Sequence, residues 1–459
     1  MMRLVVDEDL LFMAAPLPFH TFSLIRTTAP ATAASGTTIR TKRSKFASDA
    51  DDTTAAASTA TTISSLGQDL LLDIFLRLPN LRGLVRAALT CRPWLGAVRS
   101  SRPFRRLFRA LHPVPLIGLF IDIDGAAAPS FAPLRRSDPD VIAAVRRGDF
   151  LLTSLPVNDE EDTSWCITDC RQGYVLLWNK IVWNKPTVAA VNPMTWAMDI
   201  IPVPRDVWAG RSGRRREFAF LGFHLLFSEE NPRSFRVVCV CADKQRVRAA
   251  IFSPETRDWA VHPWVHVGGD NSLKSSTGTL VDGSVYWPFH GEGRMIRINT
   301  ATMEVTNVDL PSQIKVYGHN FKAGETRDGQ LCIVYVSDDF LLHAWTRSLD
   351  ADGIEIWALQ NIIFLSEEID NITEGCALDL PVDLEVVQVR PGYVYLSATC
   401  MTRPGTLRCW FISLSLETIE HELLVHGCFG GSVCPYVMAW PPCLVGDDGS
   451  IGNEVEGSH

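Results

Sequence analysis

No stretch of the 459-residue sequence approaches the eighteen or so consecutive apolar residues that a membrane-crossing helix needs, so no membrane partner is expected. There is no phosphate loop of the G-x-x-x-x-G-K-[ST] kind and no G-x-S-x-G nucleophile elbow. Their absence removes the usual starting points for a nucleotide-driven enzyme and for a serine hydrolase. Gly291-Glu292-Gly293 lacks the third glycine and the strand-to-helix setting of a dinucleotide site. His262 and His266 stand at H-x-x-x-H spacing, but Pro263 follows the first and works against the helix a zinc pair requires. Cys239 and Cys241 are expected on opposite faces of a strand, and Cys166 and Cys170 have no second ligand pair nearby. Glu229-Glu230 and Asp338-Asp339 read as solvated turns. The expectation is a chain with no catalytic residue, no metal and no cofactor. Twelve cysteines are dispersed with no secretory signal before them, which predicts reduced thiols in a cytoplasmic or nuclear protein.

What is present is a globular balance, 46% apolar and 21% charged, long enough for two folded units and a tail. The net charge of −9 is uneven, because residues 63–112 carry nine Arg, no Lys and two Asp. Those arginines lie between apolar helical stripes with no aromatic stacking pattern, so they predict a solvated face or a surface for an acidic protein, and no nucleic acid. Residues 1–62 are expected to be a disordered leader, rich in Ala, Thr and Ser, with a short basic run from Arg40 to Lys45. Residues 447–459 read as a flexible tail.

The stretch from Ser65 to Val98 compresses three amphipathic helix signals. Leu70, Leu71, Ile74, Phe75 and Leu78 form one stripe at helical period, with Ser65 and Gln68 at capping-box spacing before it. Pro79 ends that stripe. Leu81, Leu84, Val85, Ala88 and Leu89 make a second, and Cys91, Trp94, Leu95 and Val98 a shorter third. Three helices of this size cannot hide that much apolar surface among themselves, so one face is expected to meet something else.

The run L-x-x-D-L-L-L-D-I-F-L-R-L-P, then L-V-R-A-A, then C-R-x-W-L, resembles the F-box, over about forty residues. The family usually opens Leu-Pro, and here Gly67 follows Leu66. The resemblance implies docking on a Skp-type adaptor and through it on a cullin ubiquitin ligase. Matched position by position, it implies adaptor contacts at Leu66, Leu70, Ile74, Phe75, Leu78, Pro79, Leu84, Val85 and Trp94, some of which must be internal core. The module is set at 63–112, including a basic helical extension over Arg102–Leu111.

From Leu116 onward short β-type runs replace the helical period: Leu116–Ile121, Gly173–Trp178, Phe235–Cys241, Ser284–Trp287, Leu331–Val336, Tyr393–Ala398 and Cys409–Leu414. A helix is expected over Ser137–Arg147. Two phrases recur. One is a strand, a turn and a strand, starting at Val191, Phe252, Ile298 and more weakly Ile412. The other is Gly before alternating apolar residues, at Gly173, Gly283, Gly329 and Gly392. Their spacings cluster near one or two periods of roughly fifty residues, the length of a four-stranded propeller blade. The expected fold is therefore mainly β: a three-helix module followed, over 113–446, by a six- or seven-bladed β-propeller-like domain, preferred to a large irregular β-sandwich. The N-P-x-T phrase and the text around the helices resemble plant, grass-type F-box proteins with such a domain. That resemblance implies a substrate-recognition subunit of a Skp–cullin–F-box ligase, its propeller binding an unknown target. The alternative is a propeller with a small-ligand or glycan site, lined by residues such as Trp178, Trp183 and Trp287, whose helical head serves dimerisation or scaffolding. Those tryptophans more often plug blades.

Overall fold

The computed structural model describes residues 67–112, 115–123, 125–134, 139–156, 164–179, 186–208, 220–227, 234–242, 246–267, 278–288, 293–317, 321–349, 355–373, 381–403, 406–428 and 432–445. The leader, Ser65, Leu66, Trp183, Glu229-Glu230, Gly291 and the tail lie outside them. The described residues divide into two units between Leu71 and Leu72. Of the first unit, residues 67–71 are described, and they open the helix α1 (Gln68–Leu76).

Three more helices follow: α2 (Leu81–Ala88), α3 (Arg92–Ser100) and α4 (Arg102–Leu111). The breaks between them are chemical. Pro79 disfavours helical backbone at Leu78, and α1 ends just before it. Asn80 then starts α2, its side-chain oxygen accepting the Gly83 amide at 2.9 Å. Ser101 caps α4 in the same way, accepting from the Phe104 amide at 3.3 Å. Pro93 and Pro103 sit in the first turns of α3 and α4, where an N–H has no intrahelical partner to lose. Arg105 is buried and donates to the carbonyls of Val98 and Arg99, closing the C-terminal end of α3 with a cation. The head is tied to residues 440–443. Arg99 Nε donates to the Cys443 carbonyl at 2.8 Å, and the Arg109 guanidinium lies 4.6 Å from the Trp440 ring centre.

Beyond the head the described strands form six antiparallel sheets. The first joins β1 (Leu116–Ile121) to β2 (Ser130–Pro133) on one side and to β24 (Val433–Val437) on the other. Leu119 pairs with Pro435 and Phe120 with Cys434, so the two ends of the domain seal one blade and no first or last blade is left open. Blade two is β3 (Trp165–Arg171), β4 (Tyr174–Asn179), β5 (Thr187–Asn192) and β6 (Ala197–Pro202). Blade three is β7 (Phe220–Phe227), β8 (Phe235–Ala242), β9 (Arg246–Ser253) and β10 (Asp258–Val261), with β11 (Val265–His266) added beside β9. Blade four is β12 (Thr279–Val281), β13 (Ser284–Pro288), β14 (Arg294–Asn299) and β15 (Val305–Asp309). Blade five is β16 (Phe321–Glu325), β17 (Leu331–Val336), β18 (Leu341–Leu349) and β19 (Glu355–Phe364). Blade six is β20 (Val382–Arg390), β21 (Tyr393–Arg403), β22 (Thr406–Ser415) and β23 (His421–Gly427). The chain is mainly β: a six-bladed propeller with a small helical module. Among the connections, α5 (Pro139–Arg147) occupies the helix expected there.

The core lies between blades, and the strand period dictates it. Along β8, Val237, Cys239 and Cys241 join Leu176, Val188 and Ile201 of blade two. Val238 and Val240 of the same strand join Val285, Trp287 and Ile296 of blade four. A strand buried on both faces therefore reads as a continuous apolar run. Cys239 and Cys241 thus share a face, contrary to the expectation above, because a period of two returns residues i and i+2 to the same side. Trp287 plugs the space between blades three and four. A Cβ on Gly222 of β7 would lie 2.5 Å from its ring, so only glycine fits that close approach. His262 and His266 sit in a loop and a short strand, not a helix.

Both repeated phrases are turns. The first is the hairpin from the third to the fourth strand in blades two, three, four and six, and in each the chain turns through a left-handed residue. Trp196, Arg257, Met303 and Ile419 have φ of 60°, 55°, 60° and 58°. The amides of Arg257, Met303 and Ile419 return to the carbonyls of Ser253, Asn299 and Ser415 at 2.8, 2.8 and 3.0 Å. The second phrase closes the first two strands of blades two, four, five and six, with Gly173, Gly283, Gly329 and Gly392 at φ of +77°, +66°, +83° and +80°. Gln172 and Asp282 are also left-handed, which makes their turns the two-residue kind whose twist suits a hairpin.

Candidate functional site

The helical head divides the residues matched to the F-box into three groups. Leu70 and Ile74, one turn apart on α1, are 52% and 43% exposed, and Pro79 is exposed beyond the helix end. Leu78, Val85 and Trp94 are half-buried. Phe75 and Leu84 are buried at 2% and 0%. These two are the members of the expected set that serve as internal core: neither is accessible, and both pack within the head. Phe75 meets Trp94 edge to face at 5.5 Å, a favourable aromatic geometry. Leu66 lies outside the described residues.

The division follows from helix geometry. Residues four apart lie about 40° from one another around the axis, and consecutive residues about 100°. Leu70 and Ile74 form one row, and Leu71 and Phe75 the next. The second row faces inward, both side chains buried, and the first faces out. An apolar stripe this wide has an inner and an outer edge, and one core can fill only the inner one. Sequence reasoning missed three further exposed side chains: Leu89 at the end of α2, and Leu107 with Leu111, one turn apart on α4. For Leu107 and Leu111 the signal was the same i, i+4 spacing beside the inward row of Phe104 and Phe108, whereas Leu89 stood in the second stripe without being read as a contact.

Charge on the head is mainly basic, with Asp69 and Asp73 the exposed acids beside the outward row. Of its nine arginines, Arg99, Arg105 and Arg109 are engaged in holding α3, α4 and the C-terminal segment together. Arg77, Arg82, Arg86, Arg92, Arg102 and Arg106 are exposed. The head surface is therefore net basic, a balance suited to an acidic protein surface.

The propeller offers different groups. The Asp169 carboxylate on β3 accepts the amides of Cys170 and Leu225, each at 2.8 Å. Arg171 donates to the Leu280 carbonyl at 2.8 Å and Arg390 to the Cys170 carbonyl, so charged side chains stitch the inner strands of separate blades. His224 on β7 is buried, and burial pushes its pKa down to about 4, keeping the ring neutral. Burial likewise raises the Cys239 and Cys170 thiols well above their ordinary range, where they are poor nucleophiles. Among the described residues no group of three or more His, Cys, Asp or Glu converges on a point that could hold a metal. None of their helices is long and apolar enough to cross a membrane, and no disulfide links their cysteines.

Residues 166–444, from the second residue of β3 to the end of the last helical turn (Pro442–Leu444), match the family described as F-box protein AT5G49610-like, beta-propeller. The chain belongs to this family. The match covers blades two to six and β24, which with β1 and β2 closes blade one; the helical head precedes it. No curated protein matches the chain. Solved structures with some likeness include TolB from Acinetobacter baumannii, at 10% identity over 71% of this chain and 68% of that one, with a TM-score of 0.38. The periplasmic gluconolactonase PpgL of Pseudomonas aeruginosa stands at 12% identity, 61% and 73% coverage and a TM-score of 0.32. A protein from Lactobacillus plantarum stands at 14% identity, 58% and 72% coverage and 0.32. Likeness at this level says nothing about what the family's head or propeller binds.

Proposed function

We propose that the chain is the substrate-recognition subunit of a Skp–cullin–F-box ubiquitin ligase. The head docks a Skp-type adaptor through the outward row of α1, and the propeller presents a target protein. The observation that carries this reading is the exposed pair Leu70 and Ile74, in F-box register, on a chain whose propeller belongs to an F-box protein family. Fully burying an exposed Leu or Ile side chain is worth about 1.5–3 kcal/mol, so the two of this row, about half exposed, would each contribute about half of that. Leu78, Pro79, Val85 and Trp94 extend it, and the six exposed arginines suit an acidic adaptor surface. On this reading the chain performs no covalent step of its own. It raises the local concentration of the target beside the ligase, in the cytoplasm or the nucleus.

The test is co-expression with a Skp-type adaptor, followed by size-exclusion chromatography of wild type and Ile74→Asp. A one-to-one complex that the substitution removes from a folded chain supports the proposal. No complex with a folded, monodisperse wild-type chain sinks it, and points to Gly67, in place of the usual proline, as the departure that disables docking.

A further inference from the structure

The outer edge of blade five differs from a solvated strand. β19 ends its sheet, pairing with β18 alone among the described strands. A bulge at Gln360 separates its two halves, since Asn361 pairs with Ala344 and Leu359 with Trp345. The first half is held down, with Trp357 donating to the Asp309 carbonyl of blade four at 2.7 Å. In the second half Asn361 donates to the Leu416 carbonyl at 2.8 Å and Ile363 is buried, but the outward side chains are uncovered. Ile362 is 49% exposed and Phe364 72%, and across a shallow groove of about 460 Å³ Ile419 is 43% exposed. The groove is lined by residues 360–364 and Ile419.

A long apolar sheet edge is normally blunted with lysine, proline or an inward charge, because its unpaired amides and carbonyls invite another strand. Here residues 362–364 carry neither lysine nor proline. Acids dominate the charge around the groove, although Arg327 pairs with one of them, Glu417, at 2.6 Å. Residues 362–372 and 416–423 hold six carboxylates and no Lys or Arg, with Glu367, Asp370, Glu420 and Glu422 exposed. Glu367 and Asp370 belong to the helix (Ser366–Ile372) that follows β19 directly, and Glu420 and Glu422 flank the turn bearing Ile419. Apolar side chains at alternate positions of a free edge, ringed by acids, complement one kind of occupant.

We infer that this edge takes an extended segment of a partner protein, apolar at alternate residues and basic between them, as a fifth strand of blade five. Backbone pairing gives the register, Ile362, Phe364 and Ile419 receive the apolar side chains, and the carboxylates receive Lys or Arg. The inference rests on the reading of the propeller as the target-presenting part and names the chemistry of the target segment.

The probe is a fluorescein-labelled nonapeptide alternating Lys or Arg with Ile or Val, read by anisotropy against the full chain, alone and with a Skp-type adaptor. Two controls carry Glu for every base, or Pro at the centre, which removes a backbone donor. The expected result is binding at least tenfold tighter than either control and weakened by salt. It should drop at least tenfold in the Ile362→Lys, Phe364→Lys double variant, which alters exposed side chains, while adaptor capture stays intact. Equal binding of the acidic control, or binding unchanged in the variant, overturns the inference. So does a dimer of the chain that the same variant dissolves, which would assign the edge to a second copy. Failure of adaptor capture in a chain that still binds the basic peptide would count against the docking reading alone.

Discussion

Each described blade of the propeller hides its apolar faces against its neighbours, whereas the helical head leaves Leu70, Ile74, Leu89, Leu107 and Leu111 facing water. Both regions are built from units too small to bury themselves. Blades solve this by stacking in a closed ring, where every face finds another face. Four short helices have no such ring, and their inward rows suffice only for one small core. The surplus apolar surface of the head is thus what a partner can use, and that of the propeller lies in turns, at strand ends and at outer edges such as β19. A substitution between blades should therefore cost stability, and one on the outward row of α1 should cost binding.

The largest effect is expected at Trp287. Trp287→Ala empties the plug between blades three and four and should lower unfolding stability by about 3–5 kcal/mol, seen as a fall in the urea midpoint. A loss under about 1 kcal/mol would mean that blades do not share that core. Next is the pH response of His224. Its folded pKa is lowered by burial to about 4, below the ordinary 6.5, so the unfolded chain takes up the proton first as pH falls. Stability from this group is complete above pH 6.5 and declines toward pH 4, by on the order of 3 kcal/mol. Denaturation of His224→Gln should show a shallower decline than wild type over that window, and parallel curves would contradict it. Asn80→Ala should cost about 1 kcal/mol through loss of the α2 cap, measurable by thermal melting of the head's helical signal. The smallest stability effect is predicted at Ile74→Asp, below about 1 kcal/mol, because the side chain is 43% exposed and lies outside the core. A large destabilisation there would erase the contrast between head and propeller.

Much of the architecture was legible because turns need particular residues. Gly173, Gly283, Gly329 and Gly392 recur since the first hairpin of a blade demands a left-handed residue, and the strand-turn-strand phrase recurs at the second kind of hairpin. Leu116–Ile121 and Leu331–Val336 were readable as strands to the residue. The closure of the ring was not, because pairing of Phe120 with Cys434 is set by the whole ring and by nothing local. In the head, the stripe of α1 showed which side chains are apolar but not which row the core would fill, so Phe75 and Leu84 stood beside Leu70 and Ile74 among expected contacts. The edge of β19 was invisible for a similar reason: Ile362 and Phe364 look like core until the strand order places them at a margin.

The most direct measurement is hydrogen exchange by mass spectrometry on the full chain, alone and with a Skp-type adaptor in excess. The account predicts slowed exchange concentrated in α1 and the turn through Pro79, reaching into α2, with blades two to six unchanged. Protection on the blades, or none at α1 with the adaptor saturating, would contradict the assignment of the outward row as the docking surface.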